Sequence, residues 1–448
     1  MSKKPLRVRD VALSLLERIE REHAFSHILL NHTLNEKPFH EKDKALLTEL
    51  VYGTIKRKNT LDFYLSPFIK KGIHSLDSWV RQLLRLSVYQ FVYLDRIPPR
   101  AVVHEAVTIA KVRGHVGVSK FVNGVLRTFL RESLPTTEKL EGVEKYAIEW
   151  SHPEWLLEEW IHDYGFDEAK KMAETNLFPA PVTVRVNQLQ LTKEEAKRAL
   201  EEEGCEVENG HLSPDALLIK KGKIPQTKTY ETGAITIQDE SSMLVARLLD
   251  PQPGMKVVDV CAAPGGKTTH IAERMEDKGE IYAFDLHQKK MQFIEEQRKR
   301  LHLTSIKTKA LDARKLPDFY ERCSFDRVLV DVPCSGFGII RRKPEIKWQK
   351  KPSDLERLPD VQLEILEKAS ELVKKGGRLI YSTCTVRKIE NEAVVRAFLE
   401  RNHGFEWDEE AMKNLPTSLQ PQVNQGEVTI LPHHFETDGF FMAALRRM

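Results

Sequence analysis

The chain has 448 residues, 41 % of them hydrophobic and 30 % charged, a balance that suits a folded protein of two to four domains and excludes a disordered one. No run approaches the roughly 18 apolar residues of a membrane span, and nothing apolar follows the charged opening MSKKPLRVRD, so a cytoplasmic protein without a membrane partner is expected. The five cysteines, Cys205, Cys261, Cys323, Cys334 and Cys384, are odd in number and lack Cys-x-x-Cys or Cys/His ligand spacing, which supports neither a disulfide framework nor a metal site. The net charge of +3 conceals segregation. Residues 1–140 carry 24 Lys+Arg against 14 Asp+Glu, residues 141–240 carry 11 against 21, and the remainder carries 34 against 31. A basic block of this size suits a polyanion such as RNA, although a solvated helical surface has the same composition.

In chain order, VRDVALSLLERI, DKALLTELVYGTI, VRQLLRLSVYQFVYL and RAVVHEAVTIAKV place apolar residues at helical spacing, and RIPPR (96–100) breaks the pattern before a fresh helix start. An all-helical bundle is predicted. The texture then changes to a strand at 180–187 (APVTVRVN), a charged helix at 192–204 that stops at a glycine, and a strand in GAITIQ, which together describe a small α+β domain. After DPQPG (250–254) strands alternate with helices: KVVDVC, KTTHIAERM, EIYAFD, QKKMQFIEEQRKRL, IKTKALD, DRVLVDVP, a helix near 360–375, and RLIYSTC after KKGG. Such alternation predicts parallel βαβ units in a doubly wound sheet, which binds ligands beyond the carboxyl ends of its strands. Asp259, Asp285, Asp312, Asp331 and Cys384 fall at those ends.

DVCAAPGGKTTH (259–270) links the first of these strands to its helix. Gly266, Lys267 and Thr268 satisfy the second half of a phosphate loop, but Cys261 replaces its leading glycine and Pro264 removes a backbone N–H. An NTPase remains one reading, with VLVD (328–331) as its metal aspartate. The other is a nucleoside cofactor without phosphates. Glycines admit the ligand to the backbone, Asp285 at the second strand end accepts from ribose hydroxyls, and Asp312 lies where an adenine would, a set that describes a site for S-adenosyl-L-methionine.

At four motifs the chain resembles the NOL1/NOP2/Sun family of RNA 5-methylcytosine methyltransferases: Asp259–Thr268, Gln238–Ser242, Asp331–Gly336 and Ser382–Thr385. DGFFMA (438–443) resembles the family's last strand, and IPPRAVVHEAVTIAK with KFVNGVLR resembles the NusB-type RNA-binding domain of one ribosomal RNA subfamily. The resemblance covers nearly the whole chain. It implies a multidomain fold class: an N-terminal all-α NusB-like bundle over 1–140, a small α+β connector over 141–237 and a C-terminal α/β Rossmann-like methyltransferase domain over 238–448. It also implies transfer of methyl from S-adenosyl-L-methionine to carbon 5 of a cytosine in 16S ribosomal RNA, by a protein acting as a monomer. The implied cofactor residues are Cys261, Ala262, Ala263, Pro264, Gly265, Gly266 and Lys267 with Asp285, Asp312 and Asp331. The competing reading is a non-catalytic RNA-binding or antitermination factor with a degenerate methyltransferase half.

Carbon 5 of cytosine is a weak nucleophile, and a thiolate added to carbon 6 turns the ring into an enamine that can take a methyl group. A carboxyl at N3, for which Asp331 is the candidate, relieves the charge. The resemblance makes Cys384 the nucleophile and Cys334 the residue that helps release product; the sequence alone leaves the reverse order open. His270 is read as a packing residue. The stretch GIIRRKPEIKW (338–348) is expected to meet RNA, with Trp348 stacking on a base.

Overall fold

The computed structural model describes residues 8–448. It divides into two compact units: one runs to Pro179 and takes in Ile340–Lys351, and the other comprises Ala180–Ile339 and Pro352–Met448.

The first unit is helical. The four predicted helices appear as Val8–Glu22, Glu41–Lys56, Ser78–Tyr93 and Pro99–Arg113. Their apolar stripes meet in one core in which Leu13, Leu47, Leu50, Leu61, Leu84 and Leu126 are fully or almost fully buried. A buried arginine crosses this core: Arg85 grips both Asp62 oxygens at 2.6 and 2.7 Å and Glu20 at 2.9 Å. The helices Ser26–Glu36, Lys58–Leu65 and Val116–Phe129 share this core, and Gly142–Glu149, Glu154–Tyr164 and Phe166–Asn176 carry the unit's acidic end.

Ile340–Lys351 packs into this unit through buried Ile340, Glu345, Ile346 and Lys347, which corrects the expectation for GIIRRKPEIKW. Lys347 is fully buried and donates to the carbonyls of Lys56 and Ser151 at 3.1 and 2.5 Å. Burial, with Lys56 and Arg57 nearby, pushes its pKa far down. Glu345 accepts from the Ser26 backbone and hydroxyl at 3.0 and 2.7 Å. The Trp348 indole N–H donates to the Ile55 carbonyl at 2.7 Å while its ring packs on the helical core. The indole is therefore a structural anchor and not a platform for a base.

In the second unit, strands β1 (Val182–Val186), β2 (Glu206–Asn209), β3 (Ala216–Lys221) and β4 (Ile235–Ile237) form an antiparallel sheet in the order β2-β3-β1-β4. The helix Lys193–Glu202 packs on it and starts from a capping box between Thr192 and Glu195. The large sheet contains β5 (Lys256–Asp259), β6 (Glu280–Asp285), β7 (Ile306–Ala310), β8 (Phe325–Asp331), β9 (Val373–Thr383), β10 (Phe405–Trp407), β11 (Val423–Asn424), β12 (Glu427–Ile430) and β13 (Phe440–Arg447). Its order is β11-β12-β13-β9-β8-β5-β6-β7, with β10 also on β13.

Strands β5 to β9 are parallel as predicted, and alternate residues feed two cores: Val257, Leu329 and Ile380 on one face, Val258, Val330 and Tyr381 on the other. The far edge differs from a purely parallel reading. Strand β13 runs antiparallel to β9, and β12 antiparallel to β13, so the sheet is mixed. KKGG also lies inside β9 rather than before it. Gly376 has φ +74, and the pairing slips between Phe325/Arg327 and Val373/Arg378, so the glycines absorb a bulge that a period-two reading passes over.

Candidate functional site

Strands β5, β6, β8 and β9 lie side by side, so their carboxyl ends bring Asp259, Asp285, Asp331 and Cys384 to one edge of the sheet. A cavity of about 330 Å³ opens there. It is lined by Cys261, Ala263, Asp285, Asp312 and Asp331 from the first four strand ends, by Cys334 and Cys384, and by apolar Val332, Pro333 and Ile365.

The glycine loop is held by backbone hydrogen bonds to β6 and within itself. Ala262 donates its N–H to the Phe284 carbonyl at 2.6 Å, and Gly265 donates to Ala262 at 2.8 Å. Gly265 has φ +105, and an added Cβ would stand 3.2 Å from the Ile294 Cα, so conformation and space both require glycine there. Gly266 opens the helix Gly266–Arg274. Asp259 lies beneath the loop, 1 % exposed, where it accepts from the Thr268 hydroxyl at 2.7 Å. Burial raises its pKa to about 7. Burial and the surrounding carboxylates of Asp259, Asp331 and Asp285 push the Cys261 thiol far up, so it lines the cavity as a neutral, apolar group.

Asp285 accepts from the His287 N–H at 3.1 Å and has Lys290 at 3.6 Å. Asp312 is fixed by Arg314, which donates from its backbone and from two guanidinium nitrogens at 3.0, 3.0 and 2.7 Å. Lys267 does not reach into open space, because its ammonium meets Asp331 at 2.8 Å. Burial opposes that charge, but Asp331 overrides it and the Lys267 pKa rises. Ser382 donates to the other Asp331 oxygen at 2.7 Å, so both carboxylate oxygens are held.

The Cys334 and Cys384 sulfurs stand 3.4 Å apart. The hydrogen bond to Cys384 and burial push the Cys334 thiol well above its ordinary pKa. A buried polar frame holds both loops. Glu390 accepts from the Ser335 N–H at 2.8 Å, from Gln362 at 3.0 Å and from Arg387 at 3.1 Å, while Ser335 and Thr385 share a hydrogen bond of 2.7 Å.

The structure thus gathers Cys261, Ala263, Asp285, Asp312, Asp331, Cys334 and Cys384 at one cavity, while Ala262, Pro264, Gly265, Gly266 and Lys267 shape its loop from behind. His270 is a packing residue. It is 3 % exposed, lies 3.5 Å from Asp215, and burial takes its pKa down to about 3. Arg185 was not anticipated. From β1 it clamps the loop helix with bonds to Glu273 at 2.9 and 2.6 Å and to the Gly266 carbonyl at 2.8 Å, and it also donates to Gln238. Its one signal in the sequence is a cation within the apolar run VTVRV.

Comparisons with known proteins agree with this geometry. Residues 246–446 match the model of the 16S rRNA methyltransferase RsmB/F family, residues 6–131 that of the NusB family, and residues 152–224 that of a ferredoxin-like domain of the RsmF/B-like methyltransferases. The chain is 49 % identical over 441 residues to the probable ribosomal RNA small subunit methyltransferase B of Bacillus subtilis (strain 168), covering 98 % of each chain. It is 37 % identical to the protein of that name from Synechocystis sp. (strain ATCC 27184 / PCC 6803 / Kazusa), over 98 % of this chain and 99 % of that one. Among solved structures, the crystal structure of PH0851 superposes with a TM-score of 0.85 at 29 % identity, over 100 % of both chains. Strand-end acids, a glycine loop whose lysine is paired to Asp331, two touching cysteines and full-length similarity converge on one assignment: the chain belongs to the RsmB/F family of 16S ribosomal RNA methyltransferases.

Proposed function

We propose that the protein methylates carbon 5 of a cytosine in 16S ribosomal RNA, with S-adenosyl-L-methionine as donor and a covalent bond from Cys384 to carbon 6 of the base. The observation that carries this reading is the 3.4 Å contact between the Cys334 and Cys384 sulfurs at a cavity that the strand-end acids also line. The residues fit the donor. The volume of about 330 Å³ lies in the range of small-molecule sites, roughly 300–1,000 Å³. Asp285 offers a buried carboxylate for ribose hydroxyls, and Val332 and Ile365 offer an apolar wall for a purine. When bound, the donor supplies an electrophilic methyl group.

The chain's own groups do the rest. Cys384 adds as thiolate to carbon 6. Asp331 and Lys267, joined at 2.8 Å, form an ion pair that carries a proton toward N3 and offsets the charge that builds on the ring. After methyl transfer a base must take the proton from carbon 5, so that the electrons of that C–H bond re-form the ring double bond and expel the Cys384 sulfur as thiolate; Cys334, 3.4 Å from Cys384, is the group placed to assist that release. We assign RNA holding to residues 1–140, connection to 141–237 and catalysis to 238–448. Bisulfite sequencing of 16S ribosomal RNA from cells with and without the gene tests the reaction: one cytosine should be protected only when the protein is present, and identical maps would refute it.

A further inference from the structure

A second cavity, an open groove of about 480 Å³, lies between β12 and the helix Glu392–Arg401. The sheet register fixes its height. Glu427 pairs with Ala443, which pairs with Tyr381, and Thr429 pairs with Phe441, which pairs with Thr383. The groove is therefore level with the residues that precede Cys384 and two strands away, about 10 Å at the usual strand spacing. Lys388, four positions after Cys384, is on its wall.

Its chemistry is specific. Glu392 Oε2, Glu427 Oε2 and Gln422 Oε1 are buried acceptors without hydrogen-bond partners. The Glu427 side chain is only 6 % exposed, so its unpaired oxygen carries a real desolvation cost. The companion oxygens are engaged, Glu392 Oε1 by Thr429 at 3.0 Å and Glu427 Oε1 by Asn424 at 3.5 Å and Arg396 at 3.6 Å. Burial raises the pKa of both glutamates against the hydrogen bonds they accept, which for Glu392 come from its own backbone N–H and Thr429, and Glu392 raises that of Glu427 further. Around these acceptors stand two cations, Lys388 and Arg396, and the half-exposed apolar Ile389.

A ligand for this groove must bring several N–H donors on one edge, acceptors on another and a flat apolar face. Among the RNA bases guanine brings the most: its N1–H and N2 amino group present three hydrogens side by side, against two on adenine or cytosine and one on uracil. Its O6 and N7 are the acceptors that arginine and lysine read. We propose that the groove binds an unpaired guanine nucleotide of the RNA near the target cytosine, with Glu427, Glu392 and Gln422 accepting from its Watson–Crick edge. The proposal rests on the RNA methyltransferase reading above and adds a base-reading subsite to it.

Inosine, which lacks the N2 amino group, separates the two claims. Fluorescence anisotropy of the full chain with a short single-stranded oligoribonucleotide, and with the same oligonucleotide carrying inosine for every guanosine, should show about tenfold weaker binding of the inosine form. Glu427→Gln and, independently, Gln422→Ala should erase that preference while leaving S-adenosyl-L-methionine binding unchanged, which also verifies the fold. Equal affinity of the unaltered protein for both RNAs, or a preference that survives in both variants, would overturn the guanine subsite alone. Failure to bind either RNA would overturn the RNA reading with it.

Discussion

Cys334 and Cys384 are separated by 50 positions in the chain and by 3.4 Å in space, because the strands that precede them are neighbours in the sheet. That juxtaposition was legible, since each cysteine follows an apolar run and a strand-end polar group. Asp285 was legible for the same reason, and it carries the first residue-scale prediction: Asp285→Ala should weaken S-adenosyl-L-methionine binding about ten- to hundredfold in calorimetry, the loss of hydrogen bonds to a charged acceptor. Glu390 was not legible. Glu390 works through Gln362 and the Ser335 N–H, partners 28 and 55 positions away, and no local pattern marks a buried glutamate that braces a loop. Trp348 was misread in the other direction. An aromatic in a basic stretch has the composition of a base-stacking loop, and only the partner of its indole N–H, the Ile55 carbonyl, distinguishes an anchor from a platform.

At the scale of elements, hydrophobic periodicity recovered four helices of the helical unit, the helices between the parallel strands and those strands themselves, because each buries a regular face, but it passed over Ser26–Glu36, Lys58–Leu65, Val116–Phe129 and the three helices within 142–176. It also missed β2, β3, β10, β11 and β12, all of them antiparallel strands without the regular alternation of a half-buried strand. The helix Gly266–Arg274 shows how an element is fixed from outside: its first carbonyl and Glu273 are both held by Arg185 on β1. Arg185 is fully buried, so Arg185→Met leaves Glu273 as an uncompensated buried charge, and breaking such a pair costs about 3–5 kcal/mol. Chemical denaturation of the variant should show that loss, and because the same arginine braces the glycine loop, affinity for the methyl donor should fall as well. A variant of unchanged stability and donor affinity would remove Arg185 from the site's support.

For the whole molecule, the chain does not divide into units in simple linear order. Ile340–Lys351 belongs with the helical unit although it lies between β8 and β9, and charge counting cannot reveal such an insertion. Trp348→Phe should therefore lower stability by about 1 kcal/mol, the hydrogen bond it loses, and leave affinity for RNA unchanged in a filter-binding titration. The opposite pattern, weaker RNA binding at full stability, would restore the stacking role. The central claim is covalent catalysis with Cys384 as nucleophile and Cys334 as the releasing thiol. Its most direct measurement is denaturing electrophoresis of Cys334→Ala after incubation with 16S ribosomal RNA and S-adenosyl-L-methionine. The account predicts a protein–RNA band that survives denaturation and disappears when Cys384→Ala is added to the same chain; a band formed by Cys384→Ala alone and not by Cys334→Ala would contradict it.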